Sequence, residues 1–192
     1  LTTLDSSGNI LPLLADSWDV SDDTLTYTFH LKSGTKFQDG SPVEAKDVAY
    51  SISRLMSINE GPAYLFEGVL DANSVTALDS STVQFKLNKV YTPFLTNTPI
   101  MFVVNSDVAE ANKTDSDPWA QDFLANTSAG AGAYMLDSWA RGASMTIKKF
   151  DDYHLGWNDQ SLDEVRFVIT NEEATVKALA ASGVLSMSAN SQ

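Results

Sequence analysis

Between Trp18 and Leu55 the hydrophobic period changes once, from two to about 3.6, and that single change constrains the fold more than any other feature of the sequence. Trp18 and Val20 alternate with Asp19 and Ser21, and beyond a turn at Asp22-Asp23, Tyr27, Phe29 and Leu31 alternate with Thr26, Thr28 and His30. Alternation of period two puts one set of side chains on one face of a pleated strand. The segment therefore predicts a half-buried hairpin, with Trp18 and Phe29 or Tyr27 on its buried face. Asp39-Gly40 then fits a tight turn, and after Pro42 the residues Val48, Ile52 and Leu55 recur at i, i+4 and i+7. That spacing lines one face of a helix opening near Glu44. Glu44 is a weaker cap than Ser or Thr, although an acid at a helix start complements the helix dipole.

The rest of the chain continues the mixture. Ser6-Ser7-Gly8-Asn9 is a turn after a short first strand, and Met56 to Pro62 leaves the helix through Asn59, Gly61 and Pro62. Ala63 to Leu70 reads as a short helical turn, Val75–Leu78 and Val83–Leu87 as a hairpin, Pro93-Phe94-Leu95 as the start of a short helix, and Met101–Val104 as an apolar strand. Asp117-Pro118-Trp119 opens a further helix with proline at its first position. After Ala129–Ala133, Tyr134–Trp139 and Met145–Phe150 form a hairpin, and Val165–Ile169 a strand. A helix from about 172 to 181, closed by Gly183, and a strand at Leu185–Ser188 complete a strand–helix–strand unit with parallel pairing. The expected fold class is α/β.

Net charge is −13, which opposes binding to a nucleic-acid backbone or an anionic membrane surface, since both recruit clustered Lys and Arg. The chain contains no cysteine, so disulfides, thiolate metal sites and cysteine nucleophiles are excluded. No apolar run approaches the roughly 18–20 residues of a membrane helix, so no direct membrane insertion is expected. Leu1-Thr2-Thr3 lacks the pattern of a signal peptide and reads as the interior of a longer chain.

The block Ile10–Leu55, with Ser17-Trp18, the alternating strands, Lys36-Phe37-Gln38-Asp39-Gly40 and Asp47-Val48, resembles the signature of the family 5 extracellular solute-binding proteins, the dipeptide, oligopeptide and nickel receptors of bacterial ABC importers. The likeness continues in order. Asp117-Pro118-Trp119, Gly130-Ala131-Gly132-Ala133-Tyr134 and Ser138-Trp139 are similar to the family's Gly-Thr-Gly-Pro-Tyr hinge and its flanks, Phe150–Tyr153 with Trp157 to its Asn-x-x-Tyr-Trp segment, and Ile169–Met187 to its strand, helix and Ser-Gly-Glu-Ile-Asp ending. Ala133 stands in place of the usual proline, and Val184, Leu185 and Ser186 in place of Glu, Ile and Asp. The resemblance implies an accessory subdomain over 1–126 and part of a type II binding lobe over 127–192, with the second lobe outside these residues. It also implies capture of a peptide or another small solute in an inter-lobe cleft and its delivery to ABC permease subunits, in the periplasm or outside the cell and with a lipid anchor open for the whole protein. Neither a catalytic residue nor a cofactor is implied.

Individual residues add little chemistry. His30 lies on the strand face opposite Phe29, and His154 follows Asp151-Asp152-Tyr153 with no second histidine at ligand spacing, so no metal site is expected. Asp115, Asp117 and Asp122 lack the glycine and terminal glutamate of a calcium loop and read as a solvated acidic loop. Gly130-Ala131-Gly132 precedes a strand and has no Lys-Ser/Thr pair, so backbone freedom at a crossover is its simpler role. Trp18, Trp119, Trp139 and Trp157 have no basic groove around them and read as core. Two ligand neighbours are expected by resemblance. One is Asn190, after the final strand, whose amide both donates and accepts; the other is Tyr64, after the long helix, with an apolar body and a polar tip. A hydrolase is disfavoured because no nucleophile–base set is present; a protein-interaction or adhesion module is the remaining alternative.

Overall fold

The computed structural model describes residues 1–170 and 173–182. They form two compact units, one of Leu1–Ala133 with Phe150–Asn158, the other of Tyr134–Lys149 with the described residues from 159 onward. The mixed α/β class expected from the sequence is the one observed.

In the first unit, β1 (Thr2–Leu4) and β2 (Ile10–Pro12) make a small antiparallel ribbon. Next comes a four-stranded antiparallel sheet in the order β3-β4-β6-β5, from β3 (Ala15–Val20), β4 (Thr26–Leu31), β5 (Val75–Ala77) and β6 (Thr82–Lys86). The predicted hairpin is present in register, with Trp18 opposite Phe29 and Val20 opposite Tyr27. Its turn carries Thr24 at φ 56°, a left-handed conformation that a β-branched residue adopts only under constraint. The Asp23 carboxylate supplies that constraint, accepting from Leu25 N at 3.0 Å and Ser21 Oγ at 2.5 Å.

Tyr27, Phe29 and Leu31 are buried on β4, while Thr26, Thr28 and His30 between them are half-buried. Phe29 meets Phe85 edge-on at 5.4 Å, and Phe94 packs against Tyr27, Phe85 and Phe66 at 4.5, 5.6 and 6.5 Å between ring centroids. Each fully buried aromatic contributes roughly 1.5–3 kcal/mol through burial alone. The helix α1 (Ala45–Ile58) lies against β5 and β6 and buries Val48 and Ile52 there, with Leu55 partly covered. It ends where Asn59 turns left-handed, at φ 55°.

Glu44 and Asp47 form a capping box at the start of α1. The Asp47 side chain is buried, 1% exposed, and fully hydrogen-bonded into the structure. Oδ2 accepts the Glu44 amide at 2.8 Å, and Oδ1 accepts Ser106 N at 3.0 Å and Ser106 Oγ at 2.6 Å. Ser106 opens a second helix, α3 (Ser106–Ala111), so one carboxylate serves the amino-terminal ends of two helices and locks them together.

Two sequence expectations fail in this unit. Met101–Val104 is not a strand: Met101 and Val103 turn inward, and Val104 N donates to Ser51 Oγ at 3.0 Å instead of to a neighbouring strand. Pro118 does not start a helix. The chain turns there, Ala120 sits at φ 49°, and the helix, α4 (Gln121–Leu124), begins later. Between α1 and β5 the chain forms a 3-10 helix at Gly61–Phe66, and α2 (Phe94–Asn97) follows Pro93 as expected.

The second unit contains β7 (Tyr134–Ala140), β8 (Ser144–Lys149) and β9 (Glu164–Val168) in the order β7-β8-β9, all antiparallel. The expected hairpin and strand are found, and so is the helix, α5 (Glu173–Ala181). Gly183 and the strand expected at Leu185–Ser188, and with them the parallel pairing, lie outside the described residues. No helix among the described residues is long and apolar enough to cross a membrane.

Candidate functional site

The first unit holds an open cavity of about 490 Å³ between the carboxy-terminal half of α1, the segment Ile100–Val104 and α4. Leu55, Ile58, Pro62, Ile100, Phe102 and Leu124 give it apolar walls, and Arg54, Glu60 and Gln121 add polar groups. Cavities of this size and lining suit small molecules. Arg54 Nε donates to the Trp119 carbonyl at 2.9 Å, and the Trp119 ring packs on Tyr50, one turn earlier on α1, at 5.5 Å. Burial raises the Tyr50 phenol above its ordinary pKa, with the Glu110 carboxylate adding to the effect.

Tyr64 stands nearby in sequence, on the 3-10 helix that follows Pro62. Ala63 and Phe66 anchor that helix in the core, and Tyr64 is left 70% exposed. Tyr64 is not among the residues lining the cavity. Asn190, the other expected ligand neighbour, lies outside the described residues.

The remaining candidates have structural partners. His30 Nε2 pairs with Asp19 across the hairpin at 2.9 Å on the surface. His154 packs on Tyr153 at 4.8 Å, and burial, followed by the nearby Lys32 charge, lowers its pKa below the ordinary value. Asp117 accepts the amides of Gln121 and Asp122 at 2.8 and 2.9 Å. It therefore caps α4, and these bonds hold its carboxyl below the usual range. Among the described residues no group of three His, Cys, Asp or Glu is arranged to hold a metal ion.

The glycine segment differs from expectation in mechanism. Neither Gly130 nor Gly132 has a positive φ, and nothing crowds a Cβ at either. Instead the segment is held by its carbonyls. Ala129 O accepts Asn105 N at 2.9 Å, Gly130 O accepts Gln38 N at 3.0 Å, and Gly132 O accepts Gln38 Nε2 at 3.0 Å. A phosphate cradle needs amides pointing at the ligand, which is the opposite polarity. Gln38, whose side chain also meets Ser128 Oγ, is a residue the sequence did not single out.

Of the tryptophans, Trp18 packs on Phe29, Trp119 on Tyr50, and Trp157 donates Nε1 to Phe150 O at 2.9 Å. Trp139 is not core: it is exposed, with the Arg141 guanidinium 4.1 Å above its ring.

Comparison with known proteins supplies what the site alone does not. The sequence profile of the bacterial extracellular solute-binding proteins, family 5 Middle, matches residues 9–192. The probable D,D-dipeptide-binding periplasmic protein DdpA of Escherichia coli is 35% identical over 84% of this chain and 30% of its own length. CtaP, an ABC transporter substrate-binding protein of Listeria monocytogenes, superposes with a TM-score of 0.78 at 27% identity, over 93% of this chain and 36% of that one. NikZ of Campylobacter jejuni, solved with a nickel–histidine complex, shares the fold, with a TM-score of 0.81 at 23% identity over 96% of this chain and 36% of that one. The chain thus spans about a third of the length of the relatives it matches.

Proposed function

The chain belongs to the bacterial extracellular solute-binding proteins of family 5, and from that premise we propose that it is part of a receptor that captures a small solute and hands it to an ABC permease. The observation that carries this reading is a family match over nearly the whole chain, joined to relatives described as dipeptide-binding proteins and an ABC transporter substrate-binding protein. A peptide is the first solute to test, because peptides recur in the names of these relatives. The work is binding without bond chemistry: lobes of the whole receptor close on the ligand, and the closed form is presented to the permease. Its place is outside the cytoplasmic membrane, in the periplasm or at the cell surface.

Residues 1–126 are assigned to an accessory subdomain and 127–192 to part of a binding lobe. Tyr64 is assigned to the ligand's surroundings, its exposed phenol supplying stacking area and one hydrogen bond. Asn190 is assigned there by sequence position. The test is calorimetric titration of the whole gene product with di- and oligopeptides, nickel complexes and sugars. Saturable binding of one class supports the proposal, and failure of every class overturns it.

A further inference from the structure

The cavity beside α1 is more specific than an apolar groove. Phe102 is 78% exposed, yet its backbone is not loose. Met101 and Val103 on either side are buried, and Val104 N is tied to Ser51 Oγ, itself bonded to the Asp47 carbonyl at 2.6 Å. A large apolar ring is thus held in solvent at the mouth of a cavity by a segment anchored three ways. In the cavity wall, the Arg54 guanidinium is oriented by one hydrogen bond, Nε to Trp119 O at 2.9 Å. Both of its Nη groups make no hydrogen bond to any described residue. An arginine fork fixed at one end, with its outer donors unused, matches a carboxylate in shape as well as charge. Among the described residues Arg54 is also the one cation lining the cavity, in a chain of net charge −13.

We infer that this cavity is a binding site for a small solute with an apolar, preferably aromatic, body and one carboxylate: Arg54 takes the carboxylate, and Phe102, Pro62, Ile100 and Leu124 cover the body. Glu60, also in the lining, repels a second carboxylate and so limits the ligand to one. The site lies wholly within the first unit and does not depend on the receptor reading; a chain that imported nothing would still hold it.

The test is an NMR and calorimetric titration of the intact chain with 3-phenylpropanoate, set against the amine and the alcohol of the same carbon skeleton. The acid binds at least about tenfold more tightly than either, as expected for a charge-assisted fork of roughly 1.5–3 kcal/mol. Shifts centre on residues 54–62, 100–104 and 121–125. Arg54→Met abolishes the acid's advantage, and Phe102→Ala weakens acid and alcohol alike. Equal binding of acid and amine, or no saturable shift at about 10 mM acid, overturns the assignment without reference to any variant. If the acid binds here and the whole receptor still takes its transported solute with the cavity filled, the two sites are distinct. If every solute fails in the receptor while the acid binds, only the transport reading falls.

Discussion

Two central strands of this chain share a pattern and differ in outcome. Strand β4 in the first unit lies between β3 and β6, and β8 in the second lies between β7 and β9; each pairs with its hairpin partner through a register shift, at Ala15/Ser17 and at Leu136/Ser138. In β4 the alternation becomes burial, with Tyr27, Phe29 and Leu31 inside a layer completed by α1 and the Phe66–Phe94 cluster. In β8 only Thr146 is buried. Its apolar neighbours Met145 and Ile147 stay half-exposed, and cross-strand from Met145 both Trp139 and Phe167 face solvent. Period-two alternation states which side chains share a face. What covers that face is a tertiary property, and the two units divide on it.

The contrast breaks or sharpens first on large-to-small substitutions. Phe94→Ala removes a ring touching three other aromatics and is expected to cost about 3–5 kcal/mol in denaturant unfolding, whereas Phe167→Ala costs under about 1 kcal/mol. Similar losses would erase the distinction. Asp47→Ala comes next, at roughly 3 kcal/mol, because it leaves the buried Ser106 amide and the half-buried Glu44 amide without an acceptor. Its surface counterpart in the second unit, Asp137, paired with Lys148 at 2.6 Å, changes stability little when replaced by alanine. A smaller gain is expected from Thr24→Gly, which relieves the left-handed φ and raises the melting temperature by an amount equivalent to about 0.5–1 kcal/mol. The mildest effect concerns pH. His154 has a lowered pKa when folded, so the unfolded chain binds more protons as pH falls past about 6.5. Its contribution is full above that value and is lost below it. Stability curves for wild type and His154→Gln between about pH 7.5 and 5 should therefore converge on acidification; parallel curves would remove His154 from the account.

Much of the first unit was legible because its signals are local. Trp18 opposite Phe29, Val48 with Ile52, and the β5–β6 hairpin follow from period and turn residues alone. Met101–Val104 misled because a strand and an extended segment pinned by Ser51 have the same apolar run, and the difference lies in a partner 53 positions away. Pro118 misled because Asp117 caps a helix that begins at Gln121, beyond a turn. Helix α3 did leave a signal, since Asn105 before Ser106-Asp107 is a capping sequence and its side chain accepts Val108 N. Gln38, Asp47 and Arg54 act through contacts 94, 59 and 65 residues distant, which no window of neighbours reveals. Tyr64 was expected from family resemblance and does not line the cavity, whereas Phe102 and Arg54 emerged there only from the fold.

The most direct test of the receptor account compares two titrations by calorimetry, the whole gene product and residues 1–192 alone, each with the solute that the whole protein binds. The account predicts saturable binding by the whole protein and an affinity at least about a hundredfold weaker for the 192 residues, because the proposed closure needs a second lobe that the family resemblance puts outside them. Affinity of about a micromolar or better for residues 1–192 alone would contradict it, and would place the solute's site within the chain described above.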